Sequence, residues 1–381
     1  MLLTGNFMHR IGYDSKRIFN NFTGLGNYSR TLLRNLTSFH PDEEYFLYTP
    51  KVSRTPQTQF FLDSPMFTVR TPTKSRRLLW RSWRQTADLV KDKIDLFHGL
   101  SHEIPYGLPK TGIPTIVTIH DLIFRHYPEQ YKWLDCKIYD RKFRYACENS
   151  DLIIAISEST KRDIMQFYGI PEEKIIVIYQ SCHEGFMLEK PASARAAVLE
   201  KYSLPKEFML YVGSLIERKN LLGLVEAIAA LPQNTRLPLV VVGQGNEYKR
   251  RVQQRAKELG VLDQLIFIKP AFSELPALYQ QAQLFVYPSY AEGFGIPILE
   301  ALFSRVPVLT SNISSLPEAA GPGGYLVDPG SAEEMAEGMI ALLTDENLRK
   351  KKIEAGFQYA QQFTGGFLTE QLVSTYKRLL V

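Results

Sequence analysis

Short, uninterrupted apolar runs recur along this chain and constrain its fold more than any other feature. In the first half they occupy residues 45–48, 96–100, 115–119, 152–156 and 175–178. In the second half they occupy residues 209–212, 239–242, 265–268, 284–287, 306–309 and 325–327. Runs of Val, Ile and Leu without polar alternation suit strands covered on both faces, as in a parallel sheet. Helix-length amphipathic stretches separate them, which predicts α/β units. The two series predict two doubly wound domains. Residues 10–14 (RIGYD) read as a further first strand, and residues 1–7 as an extension carrying no function. The segment 183–205 is polar, proline-bearing and without a strand signal. We therefore expect an N-terminal domain over 1–185, a linker over 186–205 and a C-terminal domain over 206–362. Residues 363–381 read as a final helix. Doubly wound sheets bind ligands at the carboxyl ends of their strands. Two of them facing each other would enclose a cleft, the usual place for a small-molecule site.

Composition removes several classes. The chain has 381 residues, enough for two or three domains. Aromatic content of 12 % is too high for a solvated coil. No apolar run approaches the roughly 20 residues of a membrane span. Residues 1–7 are too short and uncharged for a secretory signal. The three cysteines, Cys136, Cys147 and Cys182, are too few and too scattered for a disulfide framework or a Cys-x-x-Cys metal site. That usage points to a reducing, cytoplasmic compartment. A net charge of +5 does not by itself predict nucleic-acid binding.

The second half carries the strongest local signals. Residues 287–302 read YPSYAEGFGIPILEAL. A strand ends near Tyr287, a loop follows, and Pro297 suits the first turn of a helix starting near Ile296. Backbone N–H groups at such a start form a ready anion site. Gly293 and Gly295 would let a ligand approach the backbone closely. Glu292 in the loop and Glu300 in the helix could accept hydrogen bonds from sugar hydroxyls. Taken alone, the same spacing also fits a tight strand–helix turn with two solvated glutamates. Residues 211–220 read YVGSLIERKN, a strand ending at Gly213 followed by Arg218 and Lys219. A forked guanidinium beside an ammonium is what a diphosphate needs, though a solvated basic turn looks the same. Residues 240–245 (VVVGQG) add two glycines after a strand, a weak signal alone.

Together these pieces resemble the family 4 retaining glycosyltransferases of the GT-B fold. Glu292 and Glu300 fit that family's paired glutamates with seven residues between them. Gly213 with Arg218-Lys219-Asn220 fits its basic motif, and Val242-Gly243-Gln244-Gly245, Ser311-Asn312, Leu316-Pro317-Glu318 and Asp328-Pro329 give further matches. The resemblance covers nearly the whole chain and is strongest from about 206 to 330. It implies that Arg218 and Lys219 neutralise a donor diphosphate and that Glu300 holds the nucleotide ribose. Glu292, Gly293 and the backbone of Phe294, Gly295 and Ile296 would hold the donor sugar, with Gly213 nearby and Pro270 to Phe272 against the base. It implies no metal and no cofactor beyond a nucleotide-sugar substrate, GDP-mannose or a UDP-sugar. It also implies that the final helix packs back on the first domain. The family often has a Trp after the Phe-Ser or Phe-Thr there, whereas this chain has Thr364-Gly365-Gly366.

The first half offers fewer residues. Residues 21–30 (NFTGLGNYSR) hold Gly24 and Gly26 ahead of an amphipathic helix. The family's loop here is often Gly-Gly-x-Gly, and Thr23 replaces the first glycine. The strand at 115–119 puts His120 and Asp121 at its carboxyl end. A lone histidine there is commonly structural, but the resemblance places His120 beside the reacting sugar. His98 and His102 bracket the end of the strand at Leu96 and would either line the acceptor side or serve the structure, two equal readings; Asp121 is expected on the acceptor side, with Arg162 a minor contact. Residues 76–84 (RRLLWRSWR) interleave basic groups with Trp and Leu, as a membrane-surface patch does; a basic helix face with inward tryptophans is the alternative. The expected function is retaining transfer of a hexose, mannose favoured, from a nucleotide-diphosphate sugar to a glycan or lipid-linked glycan in surface-polysaccharide synthesis. A UDP-hexose-dependent transferase, a sugar-nucleotide epimerase, a phosphorylase on the same architecture and a non-catalytic glycan-binding subunit are the alternatives. No nucleic-acid partner is expected.

Overall fold

The computed structural model describes residues 8–74, 77 and 79–380. Residues 1–7, Arg76, Leu78 and Val381, included in the readings above, lie outside the described residues. Seven parallel strands form the first sheet: β1 Arg10–Asp14, β2 Glu44–Tyr48, β3 Phe67–Arg70, β4 Leu96–Gly99, β5 Thr115–Ile119, β6 Leu152–Ala155 and β7 Ile175–Val177. Their order is β3-β2-β1-β4-β5-β6-β7. Six form the second: β8 Met209–Val212, β9 Leu239–Val242, β10 Leu265–Ile268, β11 Leu284–Tyr287, β12 Val308–Ser311 and β13 Gly324–Val327. These also run parallel, in the order β10-β9-β8-β11-β12-β13. Both sheets are doubly wound, as the apolar runs require. In each, strand order reverses next to the first strand, between β1 and β4 and between β8 and β11. Ligands of such sheets bind at these reversals.

The strand readings hold in register with three informative differences. β3 gave no signal, because it is a four-residue edge strand with only Phe67 buried. β12 begins at Val308 rather than 306. Pro307 has no N–H to pair, although its carbonyl accepts from Phe285 N at 2.9 Å. Residues 186–205 contain the helix Ala192–Lys201. Lys201 and the Tyr202 hydroxyl both bond Glu274, at 2.5 and 2.8 Å. Short polar contacts of this kind leave no apolar period for a sequence reading to detect.

The chain divides into two compact units. One runs to Gln180 and resumes at Gly365; the other is Ser181–Thr364. The second unit's core packs Met209, Tyr211, Val241 and Val286 of the sheet against Leu224, Ile228 and Met339 of its helices. In the first unit, apolar clusters cover both faces of the sheet. Leu368, Leu372 and Tyr376 of the final helix, Gly365–Lys377, belong to one of them. That helix lies along the Gly24–Phe39 helix. A Cβ on Gly365 would stand 2.5 Å from the Asn35 side chain, so the glycines after Thr364 permit a close helix approach.

Candidate active site

The reversal of the second sheet gathers the charged residues expected from the motifs. Arg218 and Lys219 sit on the short 3-10 turn Glu217–Lys219 that follows β8. Asn220 ends this turn with φ 56°, a left-handed conformation that Asn tolerates better than most residues. Its amide donates to the Pro329 carbonyl at 2.7 Å, which joins two separate motif matches. Glu292 comes from the loop after β11. Its carboxylate lies 2.6 Å from Lys219 Nζ and 3.2 Å from Arg218 Nη1, with all three side chains no more than 13 % exposed. The Tyr287 hydroxyl donates to the same carboxylate at 3.1 Å and also contacts Lys219. Arg218 further donates to the Ala291 carbonyl.

Burial pushes the Glu292 carboxyl up, but Lys219 and Arg218 outweigh it and hold the group below the ordinary carboxylate range. The cluster is therefore ionised at neutral pH, two cations against one anion. Ser314 and Ser315 fix the loop. Ser314 Oγ accepts from Glu292 N at 3.1 Å, and Ser315 Oγ lies 2.8 Å from the carbonyls of Glu292 and Phe294. Neither serine stood out in sequence, because their partners are backbone atoms more than 20 positions away.

Gly295 has φ 128°, a value that strains any L-residue, and it precedes the helix Ile296–Phe303 with proline in the first turn. Gly293 lies in the same loop and is partly exposed. The Phe294 ring is buried against Phe363, so only its backbone is available to a ligand. Glu300 is 8 % exposed. Burial raises its carboxyl to about 8, against a weaker opposing effect from the Tyr279 hydroxyl, which donates at 2.9 Å. Phe272 is half-buried, edge-on to His183. Gly213 has only ordinary contacts around an added Cβ, the nearest 3.5 Å away. The glycines of the VVVGQG stretch serve packing: a Cβ on Gly243 would stand 2.0 Å from the Gly213 carbonyl oxygen, and one on Gly245 2.2 Å from that of Leu215.

In the first unit the structure divides the expected residues. Gly26 is sterically required, since a Cβ would lie 1.8 Å from the Asn21 carbonyl oxygen, whereas Gly24 has open space. Asn21 Oδ1 accepts from the Thr23 and Gly26 N–H groups, each at 3.0 Å, so this asparagine holds the loop that enters the helix. The His120 ring is buried. Leu100 O lies 2.9 Å from Nε2, and the Gln180 amide lies 3.1 Å from Nδ1. Burial lowers its pKa to about 4, so the ring is neutral, donating from Nε2 and accepting at Nδ1. Contact with a reacting sugar would require it to give up the Gln180 bond.

His98 is corrected. It is fully buried between the Tyr376 hydroxyl at 2.7 Å and Thr118 Oγ1 at 2.8 Å, and burial lowers its pKa to about 3. It anchors the final helix and has no surface to offer an acceptor. The Asp121 carboxylate accepts from Ile123 N at 3.1 Å, and Arg162 is exposed on the helix Glu158–Tyr168.

The first sheet's reversal also holds a charged cluster that no motif announced. Asp14 at the end of β1 is 2 % exposed and takes Arg81 through both carboxylate oxygens, at 3.1 and 2.5 Å. Arg81 continues to Glu103 at 2.6 Å, and Glu103 to Lys142 at 2.8 Å. The one available signal was an aspartate ending a strand whose three central residues are uncharged. Arg81 belongs to the basic stretch 76–84 and points into this cluster, and Trp80 is buried, donating to Asp88 at 2.6 Å. Leu79 and Trp83 of that stretch are exposed. Among the described residues, no three of His, Cys, Asp and Glu are grouped so as to hold a metal ion, and no helix is long and apolar enough to cross a membrane.

Two doubly wound units, with paired cations and a buried glutamate at the second sheet's reversal, define a GT-B glycosyltransferase. The profile described as Glycosyltransferase Family 4 matches residues 22–181, and that described as Glycosyl transferases group 1 matches residues 199–359. The chain is a glycosyltransferase whose first half matches family 4 and whose second half matches glycosyl transferases group 1. It is 29 % identical over 376 residues to O-antigen chain mannosyltransferase B of Escherichia coli, covering 94 % of this chain and 96 % of that protein. It is 30 % identical over 302 residues to the serotype-specific mannosyltransferase WbdA of Escherichia coli, covering 75 % of this chain but only 36 % of WbdA. A glycosyltransferase from Rickettsia africae ESF-5 shares the fold, with a TM-score of 0.76 at 17 % identity over 98 % of this chain and 99 % of its own.

Proposed function

We propose that this glycosyltransferase moves mannose from GDP-mannose to a glycan or lipid-linked glycan acceptor, in the assembly of an O-antigen-like polysaccharide, with retention at the anomeric carbon. One observation carries the reading: Arg218 and Lys219 meet Glu292 at the carboxyl ends of β8 and β11, in the loop that leads into the helix starting at Ile296. A departing nucleoside diphosphate gains negative charge in the transition state, and fixed cations with backbone N–H groups stabilise it there. These groups supply the positive charge in place of a metal, and no cofactor takes part. The Glu292 carboxylate has about four lone-pair sites, so it can hold Arg218, Lys219 and Tyr287 and still accept from a sugar hydroxyl. Glu300 is assigned to the ribose and Phe272 to the base. With Glu292 occupied by two cations, no carboxylate is placed as a covalent nucleophile. The departing phosphate oxygen is then the base for the acceptor proton on the same face. The resemblance to an O-antigen chain mannosyltransferase and to a serotype-specific mannosyltransferase supports mannose; the site of action is assigned to the cytoplasm, at the inner face of the membrane.

The test is protection against thermal unfolding by GDP, UDP, ADP and their sugar conjugates without added metal. A ligand at 100 times its Kd adds about 2.7 kcal/mol. Protection by GDP and GDP-mannose, followed by mannosyl transfer to a mannosylated acceptor, is the expected result. Protection by UDP compounds alone replaces the donor with a UDP-hexose. Conversion of donor without acceptor makes the chain an epimerase. Absence of protection by every nucleotide refutes the transferase reading of this cluster and leaves a glycan-binding role.

A further inference from the structure

The helix Trp133–Asn149 buries Phe143, Ala146 and Cys147 against the first unit's core. Its other face is unusual for a surface. Trp133 is 69 % exposed, Leu134 59 % and Ile138 42 %, with Lys132, Lys137 and Arg141 exposed among them. At 100° per residue, Trp133, Lys137, Arg141, Leu134 and Ile138 share one outward arc of about 140°. Asp135 and Asp140 lie outside this arc, Asp140 paired with Arg125 at 3.2 Å; the exposed Glu148 falls within it at the far end of the helix, 3.9 Å from Arg144. Lys137 Nζ lies 4.0 Å over the Trp133 ring. Tyr145 follows on the Leu134–Ile138 side of the helix. Its ring lies 4.4 Å from Tyr106, which stacks at 4.6 Å on Trp83, itself 59 % exposed. Glu103, bonded to both Arg81 and Lys142, ties the two segments together from beneath. The strip thus runs from the Trp133, Leu134 and Ile138 group, past the exposed Arg141, to a separate aromatic group of Tyr145, Tyr106 and Trp83.

We propose that this strip docks the first unit on an anionic lipid bilayer. Exposed indoles with aliphatic neighbours belong at the headgroup level, and lysines and arginines beside them meet lipid phosphates. The surface is centred on Trp133, Leu134 and Ile138, with Trp83 at its far end. It is larger than the basic stretch 76–84, and part of that stretch, Arg81, is turned inward. The proposal deepens the reading of a lipid-carried acceptor, yet it is separable from it, because vesicle binding requires no transfer.

The experiment is sedimentation of the full chain with vesicles of phosphatidylcholine alone or mixed with phosphatidylglycerol, together with tryptophan fluorescence. Two of the three tryptophans lie in the strip and Trp80 is buried, so docking shifts emission to the blue. Binding to the anionic vesicles is expected. Lys137→Ala with Arg141→Ala should weaken it by roughly 30-fold, at about 1 kcal/mol per basic residue. Trp133→Ser with Ile138→Ser should weaken it at least ten-fold and remove most of the blue shift. All four positions are on the surface, so unfolding midpoints and nucleotide protection should be unchanged. No binding to anionic vesicles, or binding that neither double variant alters, overturns the proposal. A concentration-dependent dimer abolished by Trp133→Ser with Ile138→Ser also overturns it, assigning the strip to a second copy. Loss of transfer with vesicle binding intact would fail the transferase reading alone.

Discussion

Replacing Glu300 by glutamine should flatten the pH dependence of this protein's stability between about pH 5 and 8. The carboxyl is buried in the Ile296–Phe303 helix, with the Tyr279 hydroxyl as its polar partner at 2.9 Å. Burial raises it from 4.5 to about 8. The sign follows from linkage. A folded-state pKa above the unfolded value means that the folded chain holds a proton the unfolded chain has released. The stability from this group is then complete below pH 4.5 and drains away as pH rises toward 8. Each pH unit within that window costs about 1.4 kcal/mol, so the full loss is at most about 5 kcal/mol. Glutamine keeps the shape and the bond to Tyr279 but cannot ionise. Urea unfolding of both proteins at pH 5, 6, 7 and 8, followed by a probe in Ser181–Thr364, measures the difference directly. The wild-type minus Glu300→Gln difference should change by more than 2 kcal/mol across the series. Parallel curves would refute the burial argument. A second readout uses the ligand: if ribose hydroxyls donate to the carboxylate, nucleotide binding at pH 7 should release most of one proton, measured by calorimetry in buffers of different ionisation enthalpy.

Arg218→Ala with Lys219→Ala should abolish nucleotide protection and lower transfer by at least 100-fold, because the diphosphate loses both cations while Glu292 remains; unchanged protection would remove these residues from the donor site. Arg81→Ala should destabilise the first unit by about 3–5 kcal/mol, since Asp14 and Glu103 would be left buried without their shared partner. A loss below 1 kcal/mol in denaturant unfolding would mean that water enters and replaces the guanidinium. Gly26→Ala should cost several times the stability lost in Gly24→Ala, because only Gly26 faces a backbone oxygen, at 1.8 Å from an added Cβ. Equal thermal midpoints for these two variants would contradict the loop geometry.

Much of the architecture was legible because a parallel strand covered on both faces is written in contiguous residues. Every run of the second series became a strand; the order of the strands within each sheet was read from the structure alone. Edge strand β3 and the helix Ala192–Lys201 were not legible, since each has too little buried surface to impose a pattern. The residues expected on the donor side could be singled out for a related reason. Arg218, Lys219, Glu292 and Glu300 lie in two short segments whose spacing is fixed by the strand–loop–helix units that carry them.

The sequence by itself determined the two doubly wound domains and which segments follow the ends of their strands. Tertiary structure alone decided which side chains those ends spend on the fold. His98, at a strand end, could have faced a ligand or the fold, and proved to be a buried strut for a helix 278 positions later. Arg81 looked like part of a surface patch and proved to be the centre of a buried network spanning Asp14 to Lys142. Trp133 and Leu134, at the start of an ordinary amphipathic pattern, proved to face outward. The reason is physical. Periodicity reports which face of an element is apolar, whereas the partner of a charged or aromatic group is set by elements far away in the chain, and only packing brings them within 3 Å.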